Sequence, residues 1–215
     1  MEQVSWFKKY HIKYLLIIAL LYGSKYLLYR IAVLVNNDYH TINMTIDSMI
    51  PFCKYFLIFY VTYYWFPEIQ LWLMSYCDKR KFYRLLISIS VCCLLCFGCF
   101  CVYQVKMVRP EVEGNDLFSV LMRVMYSLDK EAVNCFPSIH SLMGVAMIIG
   151  GYKTNKFPVW LSVMSCILGV GCILSTVFIK QHYFIDMVVG ALLMIVVYLV
   201  VLLIDKKITK KRVIQ

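Results

Sequence analysis

What most constrains this chain is a series of apolar runs, each near the length that crosses a lipid bilayer. Six can be drawn, at 13–35, 50–66, 85–105, 138–152, 157–179 and 183–204. About 20 helical residues span a hydrocarbon core of about 30 Å. Lipid offers no partner for backbone N–H and C=O groups, so such runs fold as helices packed on one another. Composition agrees: 62% of the 215 residues are hydrophobic and only 16% are charged, against roughly a quarter charged in a soluble domain. The expected fold is all-α, a polytopic membrane bundle of six transmembrane helices forming one membrane domain over residues 1–215. Lys25 and Arg30 interrupt the first run, Lys54 interrupts the second, and the fourth is short. No small-residue cleavage site follows the first run, so it is expected to remain as a span.

Charge orients the bundle. Basic residues cluster at Lys8, Lys9 and Lys13, at Lys79 to Arg84, at Lys153 and Lys156, and at Lys206 to Arg212. With six spans, these segments share one side with both termini, and the positive-inside rule makes that side cytoplasmic. The other side holds Lys106, Arg109, Arg123, Lys130 and Lys180, together with most of the acidic residues. The net charge of +10 then reflects topology and contact with anionic headgroups. No basic stripe interleaves with aromatics in a soluble segment, so nucleic acid is not an expected partner. The expected setting is the cell membrane, multi-pass, with the lipid bilayer and a membrane lipid substrate as partners.

Five of the ten cysteines fall in "CCLLCFGCFC" (Cys92, Cys93, Cys96, Cys99 and Cys101). Overlapping CxxC pairs suggest zinc in a soluble loop. Inside an apolar span with Gly98 they serve more simply as small residues for close helix packing. No metal site and no cofactor is expected, and no loop cysteine offers itself as a partner for Cys135. "NMT" at Asn43 to Thr45 fits a glycosylation sequon on an outer loop.

Polar residues converge on the outer side in three clusters. "VKMVRPEVEG" ends the third run with Lys106 and Arg109, and "NDLFSVLMRVMYSL" after it reads as an amphipathic surface helix. "CFPSIHS" (Cys135 to Ser141) opens the fourth run, and "KQHYFID" (Lys180 to Asp186) opens the sixth. Pro137 suits a first helical turn, beside Ser138. The free N–H groups of that turn suit phosphate, with His140 close by. His182 and Asp186 are four apart, which places them on one helix face. A carboxylate there can hold the imidazole in one tautomer and leave its other nitrogen free to attack. Arg109 and Lys106 can bind phosphoryl oxygens. Two histidines, a carboxylate and basic residues suggest phosphoryl transfer through phosphohistidine, one histidine attacking and the other protonating the leaving oxygen. Singly, each feature also reads as a helix start, an interfacial base or a structural hydrogen bond. Ionisable groups at membrane depth, together and on one side, favour function.

"PSIH" followed by "STVFIKQHYFID" resembles the second and third motifs of the type 2 phosphatidic acid phosphatase superfamily, whose pattern is K-x6-RP, PSGH and SR-x5-H-x3-D on a six-helix core. The resemblance runs from about Lys106 to Asp186, the catalytic motifs lying within 106–186. It implies His182 as nucleophile, Asp186 as its orienting partner, His140 as acid–base residue and Ser138 in phosphate binding. Val102 stands where the first motif has lysine, Ile139 where PSGH has glycine, and Thr176 where the third motif has arginine. Ile139 and Lys180 are then the residues at hand for the phosphate. "FPSIHS" with "ST" and "HYFID" looks more like the inositol phosphorylceramide and sphingomyelin synthase branch. The expectation is a metal-independent enzyme that cleaves a lipid phosphomonoester or pyrophosphate at the outer leaflet. The alternatives are transfer of a phospho-headgroup to an alcohol acceptor and a non-catalytic lipid-binding or transport bundle.

Overall fold

The computed structural model describes residues 2–36 and 38–214, with side chains over 12–36 and 38–210. Among the basic clusters named above, Lys8, Lys9, Lys211 and Arg212 have side chains outside that description. The chain is an almost all-α bundle. In order come α1 (Glu2–Val35), β1 (Tyr39–His40), α2 (Thr45–Met49), α3 (Leu57–Thr62), α4 (Phe66–Cys77), α5 (Lys79–Val102), β2 (Gln104–Val105), α6 (Leu117–Leu128), α7 (Ile139–Gly151), α8 (Val159–Phe178) and α9 (Phe184–Ile214). Among the described residues, four helices are long and apolar enough to cross a membrane, over Ile12–Val35, Lys79–Val102, Val159–Phe178 and Phe184–Lys210; α6 and α7 are shorter apolar helices. Among the described residues, the one sheet pairing is a two-residue parallel pairing of β1 with β2, which ties the end of α1 to the end of α5.

The second run is not one helix at 50–66. A single 3-10 turn at Lys54–Phe56 leads into α3, the chain leaves helical geometry at Tyr63–Trp65, and α4 then runs to Cys77. Pro67 explains the break. Continued through it, the helix would lack a hydrogen bond and would clash one turn back, whereas a first turn accepts proline without loss. The third helix starts earlier than expected, at Lys79, because Asp78 caps it by accepting the Lys81 N–H at 3.0 Å.

Two ends of the bundle differ in character. At one, Arg80 and Arg84 pair with Asp205, and Lys81 donates to the Tyr152 carbonyl and to Thr154. Tyr14 meets Phe82 edge-on there, 5.3 Å between centroids. At the other end, α1, α5 and α8 finish where α3, α7 and α9 begin. Asn36 donates to the Cys101 carbonyl at 3.2 Å, and the Cys53 N–H donates to the Phe178 carbonyl at 2.8 Å.

The core lies around α7, which packs on α8 and α9 and is buried from Ser141 to Met147. A Cβ on Gly144 would press on the Gly169 carbonyl, and one on Gly169 on the Gly144 carbonyl. Two small residues therefore let α7 and α8 approach backbone to backbone. Gln70 of α4 stitches the same pair by donating to the Met147 carbonyl and to Ser165, both at 2.9 Å. Cys92, Cys93 and Cys96 are buried on α5 within this core, and all ten cysteines are free thiols.

Candidate active site

The N-termini of α7 and α9 meet at the end opposite the basic one. Ser138 is the N-cap of α7, its hydroxyl accepting the Ser141 N–H at 3.2 Å. Pro137 therefore precedes the cap and does not sit in the first turn, as the sequence suggests. The Ser138 N–H donates to the Asp186 carbonyl at 3.1 Å, and the Ser141 hydroxyl to the Met187 carbonyl at 2.6 Å. A Cβ on Gly190 would collide with the Ser138 carbonyl. This close seam holds the two helix starts in fixed relation.

His182 lies just before α9, not on it, so it does not share a helix face with Asp186. Asp186 reaches back from the third residue of α9: its Oδ2 accepts the Tyr183 N–H at 3.0 Å, which is the returning half of a capping box. The same Oδ2 lies 3.6 Å from His182 Nδ1, beyond hydrogen-bond length. The shorter partner of Nδ1 is the Cys135 carbonyl at 2.9 Å. A carbonyl only accepts, so Nδ1 carries the proton and Nε2 is left with its lone pair. Nε2 faces His140 Nδ1 at 3.3 Å. Asp47, on α2, fixes this arrangement from outside by accepting the Phe184 N–H at 2.7 Å, the first of α9.

His140 is clamped between two aromatic rings. Tyr60 stacks on it at 4.3 Å between centroids, and Tyr63 lies at 4.1 Å on a tilted plane. Both tyrosines come from the end of α3, so the break imposed by Pro67 turns them toward the imidazole. The Tyr60 hydroxyl is 3.5 Å from His140 Nδ1, at the outer limit of a hydrogen bond.

The two imidazoles open on a cavity of about 460 Å³. Ile139, Asn134, Gln181 and Asp129 line it, with six tyrosines from α1, α3 and the break after α3. Among the described residues, eight buried side-chain polar atoms have no hydrogen-bond partner. Five of these belong to residues lining the cavity: Tyr22 Oη, Glu68 Oε2, Asn134 Oδ1, His140 Nε2 and Gln181 Nε2. Buried polar groups are rarely left unpaired, so their concentration here marks a site for a polar ligand.

The predicted phosphate-binding residues part company. Ile139 lines the cavity with both histidines, while Ser138 and Asp186 are fully buried and do not line it. Arg109 is one shell away: its guanidinium donates to the Asp129 carboxylate and backbone carbonyl and to the Gln181 side-chain oxygen, and stacks 4.8 Å from the Tyr126 ring centroid. It thereby orients Gln181, whose amide NH₂ is one of the unpartnered donors. Lys106 is exposed, with its ammonium 5.3 Å from the Tyr39 ring. Lys180 donates to the carbonyls of Asp47 and Ile50 at 2.8 and 2.6 Å, and partial burial lowers its pKa. Sequence reasoning did not single out Tyr60, Tyr63, Gln181 or Asp47. The dense aromatic stretch at 60–65 directly before a proline was the only signal available for the first two.

Cys135 Sγ and ligand atoms of His182 and Asp186 lie within 4.8 Å of one another, near enough to hold a metal ion. The Cys135 thiol sits 3.2 Å from the Ala132 carbonyl, and burial pushes its pKa up. A thiol kept protonated and an Nδ1 already bonded to a carbonyl make this trio a hydrogen-bonded knot more readily than a ligand set.

Residues 115–210 match the family model described as the PAP2 superfamily. The matched segment runs from just before α6 to near the end of α9 and contains Ser138, His140, His182 and Asp186. The match leaves out α1 to α5, and with them Tyr60, Tyr63 and Arg109. No curated protein and no solved structure matches the chain.

Proposed function

We propose that this protein is an integral membrane enzyme that cleaves a lipid phosphomonoester or pyrophosphate through a phosphohistidine intermediate, at the extracytoplasmic leaflet. The observation that carries this reading is the imidazole pair: His182 Nε2 keeps its lone pair and faces His140 Nδ1 at 3.3 Å, at the mouth of a cavity rich in unpartnered polar atoms. His182 Nε2 attacks phosphorus as the phosphorus–oxygen ester bond breaks, and protonated His140 gives its proton to the leaving alkoxide. Neutral His140 then takes a proton from water, whose oxygen attacks the phosphohistidine and releases phosphate and free His182. Throughout, the Cys135 carbonyl and the Asp186 carboxylate steady the Nδ1–H and stabilise positive charge on the ring. The Ile139 N–H and the unpartnered side-chain amide of Gln181 offer donors to the phosphoryl oxygens, and Ser138 caps the helix start that presents them.

Topology in this reading has six passes: the four long helices, the broken α3–α4 element and the short α7. The chain acts as a single membrane domain with both termini on the basic, cytoplasmic side. The exposed apolar residues Leu117, Leu121, Val124 and Leu128 form one stripe along α6, which suits a helix lying in the interface beside the site.

A cavity of about 460 Å³ exceeds what a phosphoryl group fills. That observation favours a second reading, in which an alcohol acceptor replaces water and a phospho-headgroup moves between lipids. Purified protein in nanodiscs separates the readings. Hydrolysis predicts phosphate release from phosphatidic acid; transfer predicts a new labelled lipid with little free phosphate. His182→Ala should lower either turnover by about 10³-fold or more, and His140→Ala by about 10²- to 10⁴-fold. Turnover surviving both substitutions would sink the mechanism, and no turnover of any lipid would leave a lipid-binding bundle.

A further inference from the structure

The cations expected to hold phosphate are engaged elsewhere, while one from a helix outside the recognised motifs faces the cavity. Lys25, in α1, lines the same cavity as His140 and His182. Its ammonium lies 4.1 Å from the Tyr22 ring centroid and 4.3 Å from that of Tyr63. The Tyr63 ring also meets His140, at 4.1 Å between centroids, so ammonium and imidazole share a single aromatic ring. Among the described residues, no carboxylate lies within ion-pair distance of Lys25 and no acceptor takes a hydrogen bond from it. Beside it in the cavity wall are the Tyr22 hydroxyl and Glu68 Oε2, both buried without partners.

Two aromatic faces attract an ammonium but accept none of its N–H bonds in the plane where they are needed. A cation on a membrane helix, turned inward and short of hydrogen-bond acceptors, is built for an anion that comes and goes. A phosphate accepting a charge-assisted bond of about 2.8 Å on each side can bridge two groups that share one ring. Lysine suits this position, because its flexible stem lets a point charge follow phosphoryl oxygens as they move.

We propose that Lys25, held by Tyr22 and Tyr63, binds the phosphoryl oxygens of a phosphate monoester presented to His182. The proposal rests on the phosphoryl-transfer reading above for the identity of the anion. It assigns the charge-neutralising role to α1, which lies outside the matched segment 115–210.

The test is anion binding, read apart from turnover. Thermal denaturation of the full chain in phosphatidylcholine nanodiscs is followed against vanadate and inorganic phosphate, and separately with phosphatidic acid added to the disc; a bound anion raises Tm. Lys25→Met should weaken the vanadate and phosphate response at least about tenfold, and Lys25→Arg should retain most of it. Stabilisation by phosphatidic acid alone, lost in Lys25→Met, would identify the lipid headgroup as the ligand. A Lys25→Met protein that responds like the wild type would overturn the proposal, as would a wild type that responds to none of the three anions. Lys25→Gln guards against a folding defect particular to methionine. Lys25-dependent binding in a wild type that turns over no lipid would support this assignment while removing the catalytic reading.

Discussion

The floor and the wall of the cavity are built on different principles. The floor is the meeting of α7 and α9, where helix starts are sewn together by Ser138, Ser141, Asp186 and Asp47, and where Gly190 lets one backbone rest on the other. The wall is α1 with the broken α3–α4 element, made of tyrosine rings, one lysine and one glutamate, several with polar atoms left unpaired. A nucleophile needs its orientation settled in advance, and short, mutually capped helix ends achieve that. A binding wall needs spare hydrogen-bonding capacity, and the unpartnered Tyr22 phenol, Glu68 Oε2 and the Lys25 ammonium provide it. The family match follows much the same division, covering the α7 and α9 part of the floor and leaving the wall, and Asp47, outside.

The sharpest way to break this comparison is to lift the floor. Gly190→Ala places a Cβ on the Ser138 carbonyl, so it should cost about 1–3 kcal/mol of stability and lower turnover beyond what that loss explains. Chemical denaturation in detergent and lipid turnover at a temperature where the variant is folded would check this. Stability and turnover both at wild-type level would show that the seam is not tight. On the wall the effect should be smaller. Tyr29 donates to Asp129 at 3.1 Å, and Tyr29→Phe should cost about 1 kcal/mol while changing KM more than kcat. An equal fall in kcat with KM unchanged would move Tyr29 from the wall to the reacting centre.

The smallest effect is expected at the rim of the bundle, away from the cavity, where Lys54 pairs with Asp116. Asp116 is held well below the usual carboxylate range by bonds from Lys54 and Ser119. Because its folded pKa is depressed, the stabilisation is present above the ordinary carboxylate pKa and fades as pH falls toward the held-down value. Asp116→Asn should therefore shift Tm only slightly at neutral pH, and added salt should shrink the difference. A large shift that persists in high salt would mean the rim is part of the floor's support.

Reading the chain in advance succeeded where chemistry and helix position coincide. The apolar runs foretold the four long helices because lipid leaves a spanning chain little other choice. "PSIH" and "HYFID" flagged the floor because capping residues and histidines sit together in sequence there. The same reading misjudged local geometry. It put Pro137 inside the first turn and His182 on the helix with Asp186, since spacing alone does not say where a helix begins. It also nominated Lys106 from its place beside Arg109 at the end of the third run, and Lys180 in place of the arginine absent at Thr176; the fold sets Lys106 by the Tyr39 ring and occupies Lys180 with two carbonyls.

The sequence by itself determined the material: apolar helices, a proline that ends α3, and two histidines at helix starts, all consequences of local backbone chemistry. Only the tertiary structure decided which groups face one another. Whether a lysine meets a carbonyl, a solvent-exposed tyrosine or the cavity beside His140 depends on how α1 and α3 lie against α7, a long-range packing outcome that no local pattern encodes. That is why Lys25, an awkward charge in an apolar run when read along the chain, becomes in three dimensions the cation nearest the candidate chemistry's binding space.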